Sequence, residues 1–84
     1  MSPSVFARLK KVVVDQLGVD EDEVTPEASF GDDLNAGKNE VLDLVTALEE
    51  EFGIEFPPGE AARLFTREDS TVKGALEYLE EALD

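Results

Sequence analysis

With 84 residues the chain suits one domain, 1–84, and folding at that size buries roughly 60% of the unfolded surface, so the core must be efficient. It has neither cysteine nor histidine, which excludes disulfides and thiolate chemistry and removes the commonest general base and metal ligand. Its net charge of −14, with Lys38 the only basic residue between Val12 and Ala62, opposes nucleic acid and anionic membranes and favours basic protein surfaces; a solubilising role would explain the acidity as well.

Val5, Phe6, Leu9, Val12, Val13 and Leu17 recur at helical spacing and predict a first helix from about Ser4 to Leu17. Ser2 or Ser4 supplies its cap, Pro3 is tolerated in a first turn, and Gly18 is the stop. Val12-Val13-Val14 is its weakest helix-forming stretch. Val19 to Gly37 reads as a long, ordered connection, with one helical turn at Asp20-Glu21-Asp22-Glu23 and Val19, Val24, Ala28, Phe30 and Leu34 as pegs into the core. The second helix is the clearest element: Val41, Leu44, Val45, Leu48 and Phe52 share one face and Gly53 ends it. Gly37 with Glu40 three residues on, or Asn39, opens it. Glu49, Glu50 and Glu51 at its end oppose the helix dipole. Ile54-Glu55-Phe56 is an extended link stopped by Pro57-Pro58, and Glu60 to Phe65 forms a short third helix. Ser70 or Thr71 caps a last helix with Val72, Ala75, Leu76 and Leu79 inside.

The stretch Asp33-Leu34-Asn35-Ala36-Gly37-Lys38-Asn39-Glu40-Val41-Leu42-Asp43-Leu44-Val45, ending in Leu48-Glu49-Glu50-Glu51-Phe52, resembles the corresponding segment of acyl carrier proteins. There the family pattern is Asp-Leu-Gly-Ala-Asp-Ser-Leu followed by an acidic-apolar helix closing in Leu-Glu-Glu-Glu-Phe. Gln16-Leu17-Gly18-Val19 with Val24-Thr25, Ser29-Phe30, Phe52-Gly53-Ile54-Glu55-Phe56-Pro57, and Thr71-Val72 with Glu77-Tyr78-Leu79 follow in the family's order, so the likeness covers nearly the whole chain. The resemblance implies an all-α, acyl-carrier-protein-like bundle of three main helices plus a short third helix, with a long ordered loop after helix one.

The likeness breaks where the family attaches its cofactor. The serine of Asp-Ser-Leu carries phosphopantetheine in the family; here the triplet is Gly37-Lys38-Asn39, and lysine has no hydroxyl to esterify. Lys38 is therefore expected to stay unmodified and no cofactor is predicted. It reads as a solvated lysine near a helix start, or as a charge standing in for part of what the arm offers a partner. Surrounding carboxylates hold it as an ammonium, which argues against a nucleophile. The family docks on its enzymes through the second helix, and the matching positions here are Asn39, Glu40, Leu42, Asp43, Thr46 and Glu49. Asn39 and Thr46 stand where the family shows larger apolar residues. Phe30, Val41, Val45, Leu48, Ile54, Ala61 and Leu64 are positioned to line an acyl space, and core packing explains them more simply.

No catalytic residue and no metal ligand set emerges, since no Asp-x-Asp-x-Asp-Gly loop is present and the carboxylates read as surface groups. No apolar run approaches a membrane span, and Met1-Ser2-Pro3-Ser4 lacks the pattern of a signal peptide. The expectation is a non-enzymatic, cytoplasmic, monomeric module that binds basic partner surfaces, acyl-processing enzymes among them, in or near fatty-acid or polyketide metabolism. The alternative is a genuine acyl carrier whose attachment site has been altered.

Overall fold

The computed structural model describes residues 4–84 and contains four α-helices and no strand among them. These are α1 (Val5–Leu17), α2 (Lys38–Phe52), α3 (Pro58–Phe65) and α4 (Val72–Leu83), with one 3-10 turn over Glu21–Glu23. The architecture is the acyl-carrier-like helical bundle that the resemblance implies.

Ser4 caps α1 by accepting from the Ala7 N–H at 3.0 Å. The alternatives at Ser2 and Pro3 lie outside the described residues. Gly18 closes the helix at φ 67, a left-handed conformation that glycine adopts without a Cβ clash, and its N–H donates to the Val14 carbonyl. The three consecutive valines stay helical because Leu9 and Val13 are fully buried, and that packing outweighs their weak propensity. Asp20 to Glu23 forms the expected single turn, tightened by the Asp20 N–H donating to Glu23 Oε1 at 3.2 Å.

The connection from Val19 to Gly37 is ordered by its pegs and by backbone bonds to a distant segment. Val24, Ala28, Phe30 and Leu34 are buried and Val19 half-buried. The Phe30 N–H donates to the Ser70 carbonyl, and the N–H groups of Val72 and Lys73 donate to the carbonyls of Ala28 and Pro26. A single antiparallel bridge pairs Ser29 with Thr71. Ser29 also folds the loop on itself: its Oγ accepts from the N–H groups of Asp32 and Asp33, while Asp33 Oδ2 accepts from the Ser29 N–H at 2.8 Å. Asn35 then takes φ 56, a left-handed position that asparagine tolerates better than most residues.

On α2 the stripe Val41, Leu44, Leu48 and Phe52 is buried, as its spacing predicts; Val45, at the margin of that stripe, is only half-buried. The helix α3 begins two residues before the expected Glu60, at Pro58, because proline has no N–H to lose in a first turn. Thr71, not Ser70, caps α4, accepting from the Gly74 N–H at 3.4 Å. Ser70 is buried instead and anchors the α3–α4 link: its hydroxyl donates to the Arg63 carbonyl at 2.7 Å and accepts from the Arg67 N–H.

Two further sets of contacts tie the elements together. Phe30, Phe65, Phe56 and Tyr78 form a continuous row of rings, with centroids 5.0, 5.6 and 5.3 Å apart in turn, joining the loop, α3, the α2–α3 link and α4. From α1, Arg8 reaches the last turn of α2: Nε donates to Glu51 Oε2 at 2.9 Å, Nη2 donates to the Glu51 carbonyl at 2.8 Å, and the guanidinium lies 4.4 Å from the Phe52 ring centroid. The acidic end of α2 therefore receives a cation from the neighbouring helix, which answers one of the three unfavourable charges there and satisfies a terminal carbonyl. No helix among the described residues is long and apolar enough to cross a membrane.

Candidate functional site

The exposed side of α2 begins at its cap. Gly37 is extended at φ −77 and its N–H donates to Glu40 Oε1 at 2.9 Å. Glu40, at the third helical position, thus performs the return half of a capping box, with no partner side chain from position 37. A Cβ at 37 would fall against that same Glu40 oxygen, so glycine and the inward-turned carboxylate belong together. Lys38 follows as the first residue of the helix, exposed and without an ion pair among the described residues.

The residues singled out from the sequence lie on this surface but differ in what they have free. Asn39, Asp43 and Leu42 are exposed, and Leu42, at 64%, is the more exposed of the two large apolar residues that reach solvent among those described. Thr46 is exposed, and its hydroxyl donates to the Leu42 carbonyl at 3.1 Å. Glu49 is half-buried, and its Oε2 accepts from the Phe56 N–H at 2.7 Å. Its carboxylate thereby ties the α2–α3 link to the helix. Glu40 is exposed but its carboxylate is occupied at the Gly37 N–H.

Glu50 lies on the same side of the helix. It is exposed, forms no hydrogen bond or ion pair among the described residues, and stands four residues after Thr46 and seven after Asp43. The same spacing rule that selected the stripe from the sequence selects Glu50 when carried one step further. The outward carboxylates are then Asp43 and Glu50, both in the C-terminal two-thirds of the helix, with Lys38 at the opposite end.

Behind this face the positions that could have lined an acyl space are used in packing. Phe30, Val41, Leu48 and Leu64 are buried in the core, and Val45, Ile54 and Ala61 pack half-buried against it. On α3, away from this surface, Arg63 donates to Glu60 Oε2 at 2.7 Å; that bond holds the Glu60 carboxyl below its ordinary range and raises the arginine. The pair is exposed and belongs to the helix surface.

A protein-family model described as a phosphopantetheine attachment site matches residues 7–79, which spans all four helices except the first two residues of α1 and the last four of α4.

Proposed function

The chain belongs to the phosphopantetheine attachment family and is an acyl-carrier-like module, and from that premise we propose that it works without the arm, as a non-catalytic protein that docks on partners through α2. The observation that carries this reading is the residue at the start of α2. Attachment needs a hydroxyl there, and Lys38 presents an exposed ammonium instead. The residues present do not fit the group. Within α2 the only hydroxyl is that of Thr46, eight residues on and donating to the Leu42 carbonyl. Ser29 lies in the loop nine residues before Lys38, and its hydroxyl oxygen accepts two backbone N–H bonds there.

What remains is a surface. Leu42 stands exposed with no packing reason to be apolar, and the chain's charge of −14 draws cationic proteins by long-range attraction. The partners we propose are proteins with basic surfaces, acyl-processing enzymes first among them. The proposed setting is the cytoplasm, with the chain acting as a single-domain monomer near fatty-acid or polyketide metabolism.

The test is intact-mass measurement after incubation with coenzyme A and a broad-specificity phosphopantetheinyl transferase. The mass should not change. A gain of one phosphopantetheine overturns the reading in favour of a working carrier, and mapping the adduct would name the residue that holds it.

A further inference from the structure

Taken with their hydrogen bonds, the charged side chains of α2 differ in what they leave free for a partner. Of its four glutamates, Glu40 is tied to the Gly37 N–H, Glu49 to the Phe56 N–H and Glu51 to Arg8. Three carboxylates thereby have a hydrogen-bond partner within the chain, although Glu40 and Glu49, bonded to neutral N–H groups, keep their charge. Lys38 at the first position and Asp43 and Glu50 further along remain exposed and unpaired among the described residues. The unengaged side chains are thus a cation at the helix start and two carboxylates further along, with the bonded Glu40 carboxylate keeping its charge near Lys38. Leu42 lies between the two ends.

Resting on the docking reading above, we infer that this face recognises a mixed-charge protein surface: an apolar recess for Leu42, an acidic side chain set over Lys38, and basic side chains over Asp43 and Glu50. Complementary charges at two ends of one helix fix the direction in which a partner lies along it, whereas an all-basic patch would leave the direction open. A partner with only basic residues would bring like charge against Lys38, a penalty the rest of the field must outweigh. A second copy of the chain is the wrong occupant, because each copy carries −14 and has few cations to offer Asp43 and Glu50.

The probe is a phage-displayed library of a small helical scaffold with one randomised face, selected against the whole protein at physiological salt. Selected clones are then titrated against Leu42→Ala, Lys38→Glu and Glu50→Lys. All three positions are exposed, and far-UV circular dichroism checks that each variant stays folded. Clones should carry an acidic residue beside basic ones, and should weaken at least about tenfold on Lys38→Glu and on Glu50→Lys, since each substitution sets like charges against each other in the interface. Clones that need Leu42 and Glu50 but bind Lys38→Glu as well or better overturn the mixed-charge inference and leave the docking reading standing. Clones indifferent to all three substitutions overturn the docking reading itself.

Discussion

Replacing Glu49 by alanine should destabilise the fold even though sequence spacing assigns the residue to the partner-facing side. The variant strips the half-buried Phe56 N–H of its acceptor at 2.7 Å, a loss of about 1–3 kcal/mol. Two smaller effects oppose it. Removing a negative charge from the last turn of α2 returns about 0.3–1 kcal/mol, and alanine adds a few tenths in helix propensity. The net loss is about 1 kcal/mol. Glu50→Ala makes the same change in charge and propensity one residue away but breaks no hydrogen bond, so it should be stabilising by about 1 kcal/mol. The two variants should thus differ by about 2 kcal/mol. With a urea dependence of about 1 kcal/mol per molar for a domain this small, their unfolding midpoints should lie about 2 M apart. Melting temperatures should separate by about 10 °C. Glu49→Gln keeps an acceptor oxygen and should stay close to the parent. Urea titrations followed by circular dichroism at fixed salt read all three. Coincident midpoints for Glu49→Ala and Glu50→Ala would show that the bond to Phe56 contributes nothing and that Glu49 is free for a partner after all.

Leu44→Asp should abolish folding, because an unpaired charge at a fully buried position costs several kcal/mol, on the order of the whole stability of such a domain; Leu42→Asp, at 64% exposure, should keep full helical signal, and equal loss in both would mean the faces of α2 are misassigned. Moderate salt or millimolar magnesium should raise the melting temperature, since fifteen acidic residues face one basic residue between Val12 and Ala62; an unchanged value would remove self-repulsion as a factor. The triple variant Gly37→Asp, Lys38→Ser, Asn39→Leu should fold and gain one phosphopantetheine, with the new aspartate displacing the flexible Glu40 carboxylate from the Gly37 N–H. Lys38→Ser alone should be modified slowly or not at all, and equal rates for the two would place the loss of attachment in the one hydroxyl.

What could be read from the sequence were features that repeat within one element. The buried stripe Val41, Leu44, Leu48 and Phe52 follows from helical period, and the stops at Gly18 and Gly53 follow from glycine's ease in the left-handed region. Features joining distant parts of the chain were hidden. Nothing near Glu51 announces Arg8, 43 residues earlier, and nothing near Glu49 announces that the chain beyond Gly53 brings the Phe56 N–H back to it. Glu49 and Glu51 therefore look alike with Glu50 as free acids, although of these three only Glu50 is left unengaged among the described residues. The spacing starts α3 at Glu60 and leaves the cap of α4 open between Ser70 and Thr71 for a related reason: proline and serine each have two local uses, and tertiary packing decides between them.

The backbone bonds between the first loop and the start of α4 carry a consequence for the order of events during synthesis. Residues 26–30, which lead into the approach to α2, find their partners only at residues 70–73. As a ribosome delivers the chain from its N-terminus, α1 and α2 emerge well before those partners do. The helix that faces the outside world is therefore made early but anchored late. Until the final helix arrives, the segment holding Ser29, Phe30 and Leu34 has neither its bridge nor its full share of the aromatic row. A nascent chain stalled before Ser70 should accordingly expose that loop to protease while a chain released past α4 should not.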